Sequence, residues 1–310
     1  MSDRILAIVV SYNPERASLL RALESIENQN CDVLIVDNAS DQVEALRELL
    51  KSLSRTKLIE LTSNLGLGAA HNIGFKHAQE NGYDYGLLLD QDSFPLDGMV
   101  EALCRAHQNK SKQHRVSAVG VTYLNADNGS ESFFVRFGKL KFSRHYCAAR
   151  DQDGCVEAGF LISSGSLISL EGFKAIGSMD ETLFIDHIDT EWFLRANDLG
   201  FRAFGVCDAV MQHGLGENTH RITIAGRQRN VPQHKPFRYY YMFRNSILLY
   251  KRGYTSKLWK WNDFQRLGMI AIMFGILRPP RFANLKMMLL GTWHGLRGKT
   301  GPLSEARHNA

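Results

Sequence analysis

Cysteine and proline are sparse in this 310-residue chain, at five and seven residues. The cysteines (Cys31, Cys104, Cys147, Cys155 and Cys207) are odd in number and form no CxxC pair. That argues against a disulfide framework and fits a reducing cytoplasm. Long apolar runs are missing as well. The longest, Leu267 to Leu277, has 11 residues, whereas a spanning helix needs about 20. The run Ile5–Val10 is too short for a signal peptide and reads as a strand. No internal repeat, low-complexity stretch or recognised nucleic-acid-binding module is present, which disfavours nucleic acid as a partner. Acidic residues nearly vanish at one end. From Lys235 onward 14 Lys and Arg face only Asp263 and Glu305, whereas the first 234 residues hold 23 basic and 30 acidic side chains. Such asymmetry calls for an anionic partner at the tail.

What is there is ordinary globular material, 44% hydrophobic and 22% charged, enough for a sizeable core. The first part alternates short β-branched runs with segments of helical spacing. Strands are expected at Ile5–Val10, Val33–Val36, Lys57–Glu60 and Tyr85–Leu89, and helices at Arg16–Asn28, Gln42–Ser52 and Ala69–Glu80. Continuous apolar strands between helices imply a mostly parallel sheet covered on both faces. Ligands of such sheets gather at the carboxyl ends of the strands. Each of those ends carries polar residues or glycine: Ser11-Tyr12-Asn13-Pro14, Asp37-Asn38-Ala39-Ser40, Asn64-Leu65-Gly66-Leu67-Gly68 and Asp90-Gln91-Asp92-Ser93. One such loop is an ordinary turn or helix cap, but four in succession point to a site. Beyond Lys235 the spacing predicts three helices, Pro236–Arg252, Ser256–Leu277 and Arg281–Leu296. This divides the chain into a 1–235 domain and a basic helical subdomain, 236–310.

Three features carry chemistry. Asp90 and Asp92 are two residues apart at a strand end, so both carboxylates point to one side and can share a divalent cation. The run from Glu181 to Glu191 interleaves four acids, Asp186 and Asp189 among them, with Phe184, Ile185 and Ile188. A partly desolvated carboxylate there can act as a general base, although acids in a first helical turn also simply favour the helix dipole. His213 follows the strand-like run Phe201–Cys207. A lone histidine is more often structural, yet a neutral imidazole suits a site that already holds two carboxylates.

Taken in order, Asp37-Asn38, Asn64-x-Gly66…Asn72-x-Gly74, Asp90-Gln91-Asp92, Asp189-Thr190-Glu191-Trp192-x-x-Arg195 and His213 resemble glycosyltransferase family two, with its GT-A fold. The finer pattern is similar to the bacterial rhamnosyltransferases of that family. It consists of Leu87–Ser93, Leu161-Ile162-Ser163-Ser164-Gly165, Phe184–Trp192 and Arg238-Tyr239-Tyr240…Arg244-Asn245. The resemblance implies a metal-dependent, inverting enzyme that takes L-rhamnose from dTDP-L-rhamnose to a glycan or lipid-linked acceptor, with Mg²⁺ or Mn²⁺ as the ion. It implies that Asp90, Asp92 and His213 hold the metal, that Asp37 meets the nucleotide base, and that Ser11, Asn64, Asn72 and Asp90 line the donor. Arg244, with His220 or Arg221, would meet the diphosphate. Asp189 would be the base, and Ser164, Gly165, Glu191 and Trp192 would face the acceptor. The chain departs from the family at Ile188, where many relatives carry an acid. Asp189 is preferred over Asp186 for its offset to Arg195.

The tail mixes Trp259, Trp261, Phe264, Met269, Ile270, Met273 and Phe274 with Lys257, Lys260 and Arg266. A basic amphipathic helix of this kind suits the anionic inner face of a bacterial plasma membrane, which predicts a cytoplasmic, peripheral protein; the bland reading is a solvated helical subdomain. Association into an oligomer is compatible with the sequence. Three other functions compete. A sugar-nucleotide pyrophosphorylase wants a glycine-rich, basic phosphate loop after the first strand, where this chain has Ser11-Tyr12-Asn13-Pro14. A transferase of the same fold could use a different nucleotide sugar. A non-catalytic nucleotide-sugar-binding partner has no need of Asp90, Asp92, Asp189 and His213 together.

Overall fold

The computed structural model describes residues 3–29, 31–51, 53–124, 129–138, 141–213, 219–224 and 227–303, with the backbone only for 213, 219–224 and 227–232. The chain divides into two compact units: Met1–Phe184 with Ile188–Gly214, and Ile185–His187 with Leu215–Ala310.

The first unit opens with the expected alternation: β1 (Ile5–Ser11), α1 (Arg16–Glu27), β2 (Asp32–Asp37), α2 (Val43–Leu50), β3 (Thr56–Glu60), α3 (Leu67–Glu80) and β4 (Tyr85–Asp90). It continues through β5 (Ser93–Pro95), α4 (Met99–Ser111), β6 (Val116–Leu124), β7 (Phe134–Phe137), β8 (Phe142–His145), β9 (Cys155–Ala158), β10 (Ser166–Ser169), α5 (Leu170–Ile176), α6 (Ile188–Asp198) and β11 (Arg202–His213). The main sheet runs β3-β2-β1-β4-β10-β6-β11-β5, with β9 also on β11. Its first four strands are parallel, as the apolar runs predict. The other half is mixed, because β10, β5 and β9 pair antiparallel. Leu6, Ala7, Ile8, Leu34, Ile35, Leu87 and Leu88 are all buried. A strand covered on both faces needs this unbroken apolar run. Gly74 lets α3 lie on the sheet: a Cβ there would sit 2.3 Å from the Ile8 Cγ2.

Two expectations change. Cys147 and Cys207 are joined by a disulfide, with Cα atoms 5.6 Å apart. A sequence separation of 60 conceals a pairing that only the fold brings together. Between β6 and β9, where no strand is expected from the sequence, lies the β7–β8 hairpin, with Phe134 opposite His145.

The second unit contains the hairpin β12 (Thr219–Ile224) and β13 (Arg227–Pro232), then α7 (Pro236–Tyr250), α8 (Lys257–Ile270) and α9 (Arg281–Leu296). Pro236 starts α7, where its missing N–H costs nothing. Ser256 caps α8 by accepting from the Trp259 N–H. The helix predicted over Ser256–Leu277 is α-helical only to Ile270 and continues as a π-helical turn, Ala271–Leu277. Tyr239, Met242, Phe243, Leu267, Phe274 and Met288 form this unit's core. Gly291 and Gly295 bring α9 against α7; Cβ atoms there would lie 2.3 Å from the Tyr240 carbonyl oxygen and 2.8 Å from that of Arg244. The predicted apolar stripe is partly inside. Trp259 and Phe274 are buried, whereas Trp261, Phe264 and Met269 are exposed. Among the described residues no helix is long and apolar enough to cross a membrane.

Candidate active site

The loops after β1, β2 and β3 are tied to one another through Asp37. Its carboxylate accepts from Ser11 Oγ at 2.8 Å, Ser40 Oγ at 2.6 Å and the Ser40 N–H at 2.8 Å. Ser40 Oγ in turn accepts from the Asn13 N–H. Asn38 accepts from the Leu65 N–H at 2.8 Å, and the Tyr12 N–H donates to Gln91. Ser11 and Asp37, both expected on the donor side, are thus buried and bonded to each other. A cavity of about 430 Å³ opens beside them, lined in part by Asn13, Arg16, Ser40, Asp41 and Gln42.

Asn64 and Asn72, also expected on the donor, have local work. Asn64 Oδ1 accepts from the Gly66 N–H at 3.0 Å, an Asx turn that launches α3. Gly66 has φ +89°, and a Cβ there would lie 2.5 Å from the Phe184 carbonyl oxygen. Asn72 donates to Met179 O and Glu181 Oε1 and accepts from the Met179 N–H, so its amide is occupied in holding that segment.

Asp90 ends β4, the buried Ser93 begins β5 three positions on, and Gln91 and Asp92 lie between them. In the backbone register Ser93 sits opposite His213. The side chain of His213, like those of His220 and Arg221, lies outside the described residues. Among the described residues no three acids, histidines or cysteines gather as a metal site. The donor set of Asp90 and Asp92, two half-buried carboxylates on alternate residues, fits one hard cation.

The turn Ser163-Ser164-Gly165 connects this acidic pair to α6. Ser164 Oγ accepts from the Asp90 N–H at 3.0 Å and bonds Ser93 Oγ at 2.6 Å. The Ser163 N–H points to Asp189 Oδ2 at 3.4 Å. Asp189 Oδ1 also accepts from the Thr190 N–H at 2.6 Å. Tyr123, at the end of β6, donates to Ser164 O. Its hydroxyl titrates well above the usual tyrosine range, first because it is desolvated, then because the charges of Asp90 and Asp189 oppose a phenolate. Both carboxylates therefore act on one phenol. Tyr123 escaped the motif reading, although it stands at a strand end where polar residues were the signal.

Four residues expected to face the acceptor are inside. Ser164 is 2% exposed, and Gly165, with φ +73°, is wedged against Val121. Glu191 is 2% exposed and pairs with Arg195 at 2.9 Å. Trp192 is fully buried against Phe173 and Phe193 and donates to Gly177 O at 2.8 Å. These side chains shape the site from behind, because burial leaves them no face for a substrate. Asp186 belongs to the helical unit and pairs with Arg238 at 2.7 Å. Arg244, fully buried in that unit, donates to Asn245 and to Gly301 O and lies over the ring of Tyr241.

Comparison with known proteins agrees with this geometry. The model of glycosyl transferase family 2 matches residues 6–177. A dTDP-rhamnosyl transferase, RfbF of Shigella flexneri, is 29% identical across the full length of both chains. Galactofuranosyltransferase GlfT1 of Mycobacterium tuberculosis is 24% identical over 86% of this chain and 96% of its own. Among solved structures, S. aureus TarS 1–349 in complex with UDP-GlcNAc has a TM-score of 0.56 at 14% identity, covering 96% of this chain and 81% of that one. GalNAc-T7 with UDP, GalNAc and Mn²⁺ also scores 0.56 at 14% identity, over 89% and 58%. These two likenesses speak to the fold, which is of the GT-A type. By its family match over more than half its length, and by the fold that carries that match, this chain belongs to glycosyl transferase family 2.

Proposed function

We propose that this chain is an inverting rhamnosyltransferase that moves L-rhamnose from dTDP-L-rhamnose to a hydroxyl of a glycan or lipid-linked acceptor in bacterial polysaccharide synthesis. Full-length likeness to a dTDP-rhamnosyl transferase supports the donor. The observation that carries the chemistry is the serine turn, which bonds the Asp90 backbone on one side and the Asp189 carboxylate on the other.

The nucleoside would lie over the loops knitted by Asp37, beside the cavity at Asn13 and Ser40. Asp90, Asp92 and His213 would hold Mg²⁺ or Mn²⁺, which when bound offsets the charge of the departing diphosphate. Arg244 would reach that diphosphate only if released from Asn245 and Gly301. Asp189 takes the acceptor hydroxyl's proton. The oxygen lone pair forms the new bond to the anomeric carbon, and the old carbon–oxygen bond breaks with its electron pair leaving on dTDP. One displacement inverts the centre, so a β-linked donor yields an α-linked rhamnoside, and no covalent intermediate is required.

The exposed aromatic and basic side chains of α8 and α9 support attachment to the inner face of the plasma membrane, where a lipid-linked acceptor would reside. A thermal-shift screen of nucleotide sugars with Mn²⁺ or Mg²⁺, followed by transfer and hydrolysis assays, tests the reading. dTDP-L-rhamnose should stabilise the protein most. Asp189→Asn should keep that shift while losing transfer by about 10²-fold or more. Stabilisation by a nucleotide-activated galactofuranose alone would transfer the donor assignment to the sugar that names GlfT1. Near-normal turnover in Asp189→Asn would remove the base.

A further inference from the structure

Five backbone groups of the turn at Ser163–Gly165 are bonded. The Ser163 N–H faces Asp189 Oδ2, and Ser163 O accepts from the Ser166 N–H at 3.0 Å. Ser164 O accepts from the Tyr123 hydroxyl. The Gly165 N–H donates to Leu88 O at 2.7 Å, and Gly165 O accepts from the Val121 N–H at 3.2 Å. The turn is therefore bonded to β4 through Leu88 and the Asp90 N–H, to β6 through Val121 and Tyr123, and to α6 through Asp189. Two of these ties, those of Leu88 and Val121, run from main chain to main chain, and substitution leaves them in place. The side-chain ties are Ser164 Oγ, on the Asp90 side, Asp189 Oδ2, on the Ser163 N–H, and Tyr123 Oη, which holds the Ser164 carbonyl two peptides along the turn from that N–H. Glycine at 165 is required, because φ is +73° and a Cβ would meet Val121 Cγ2 at 2.3 Å.

We propose that Tyr123 is a positioning residue for transfer: by holding Ser164 O it aims the Ser163 N–H at Asp189 and so fixes where that carboxylate stands relative to Asp90. It touches neither donor nor acceptor in this role. The inference rests on the reading of Asp189 as the base. Removing the hydroxyl leaves the Ser164 carbonyl without this donor inside the site, and the turn relaxes on the side facing Asp189. A displacement of about 1 Å in a reacting group costs up to about 10²-fold in rate, so a small relaxation is visible in turnover before it is visible in binding.

The test is a cycle of Tyr123→Phe, Asp189→Asn and the double variant in the full chain. Turnover is normalised to sites counted by dTDP binding with Mn²⁺, so that any fraction lost to misfolding drops out. Tyr123→Phe should lower kcat by about 10-fold or more and leave KM for the donor within about two-fold. In the Asp189→Asn background the same change should cost less than about two-fold, because the group it aims is already gone. Ser164→Ala, which cuts the tie on the Asp90 side, should instead raise the donor KM. Normal turnover in Tyr123→Phe, or an equal loss with and without the Asp189 carboxylate, overturns the proposal. Retained turnover in Asp189→Asn alone sinks the base assignment and this inference with it. An inactive Asp189→Asn beside a normal Tyr123→Phe sinks only this one.

Discussion

Both units bury polar side chains, but they differ in the apolar surface they expose. The catalytic unit follows the common rule: its apolar strands are inside, and apart from the Phe133–Tyr146 pair its exposed large hydrophobic residues, such as Tyr12, Leu65 and Leu199, are scattered. The helical unit buries Arg244, Asn245, Ser246, Asp263 and Asn284, and exposes a run from Trp261 to Leu296 that includes Phe264, Ile272, Ile276, Phe282, Leu289 and Trp293. Scattered apolar residues need no explanation, whereas a concentrated set does. On α8 and the π-helical turn after it the exposed positions 261, 264, 272 and 276, and on α9 positions 282, 289, 293 and 296, repeat at helical spacing. Lys257, Arg278, Arg281, Lys286, Arg297 and Lys299 are exposed among them. Several of the buried polar groups are bonded, Asn284 Nδ2 to Phe274 O at 3.0 Å and Asp263 to Tyr250 at 2.8 Å, while Asn284 Oδ1 and Thr255 Oγ1 have no partner among the described residues. The unit therefore has a core of its own, and its apolar exterior is a separate feature. A surface that is both apolar and basic matches an anionic bilayer.

Breaking that surface should give the largest effect. Replacing Trp261, Phe264, Phe282 and Trp293 together by serine should reduce flotation with vesicles containing anionic lipid by about 10²-fold or more, at roughly 25 cal/mol per Å² of apolar area withdrawn. Transfer to a soluble acceptor should be unchanged, because these side chains are exposed on the helical unit. Vesicle binding equal to the parent's would erase the distinction between the two surfaces. High salt should weaken the basic contribution and spare the apolar one.

The sequence exposed the parallel half of the fold and the strand-end loops with little error, because both are local: β1 to β4 are apolar runs, and Asp37 and Asp90 directly follow them. It misled where side chains of the right type had distant partners. Asn72 reads as a loop amide for a ligand, but Met179 and Glu181 occupy it from more than a hundred positions away. Trp192 reads as an aromatic wall, but α5 and the Gly177 carbonyl cover it. Tyr123 carried no motif, and its position between the charges of Asp90 and Asp189 depends on β10 separating β4 from β6. Helical spacing identified the stripe on α8, yet the choice of exposed face required the packing of Trp259 and Phe274.

A smaller effect depends on pH and is common to both units. Burial pushes His71 in the catalytic unit down to about 4. His187 in the helical unit is also pushed to about 4, by burial and then by Arg266, against the opposing pull of Asp263 and Asp186. Both are neutral inside and would titrate near 6.5 when unfolded. A depressed pKa means that stability is complete above about pH 6.5 and is lost as pH falls towards 4, since only the unfolded state takes the proton over that window. Thermal midpoints should be flat above pH 7 and decline below 6.5. His71→Leu should flatten the decline by up to about one proton and relieve the buried Nδ1 that has no partner among the described residues. An unchanged slope in that variant would mean that His71 is protonated in the folded state.

The smallest effects come from glycine, and they differ in sign. Gly74 lies where α3 meets β1, and the 2.3 Å approach to Ile8 leaves no room for a methyl group. Gly74→Ala should destabilise the catalytic unit by about 1–3 kcal/mol, the usual result of overpacking. Gly268 sits on the exposed side of α8 with nothing within 4 Å of a Cβ. Alanine there adds no clash and restricts the unfolded chain, so Gly268→Ala should stabilise by about 0.5–1 kcal/mol. Denaturant melts of both variants decide the point. A stabilising Gly74→Ala would mean that α3 can move off the sheet. That would loosen Gly66 and Asn72, which seat the same helix against Phe184 and Met179 ahead of Asp189.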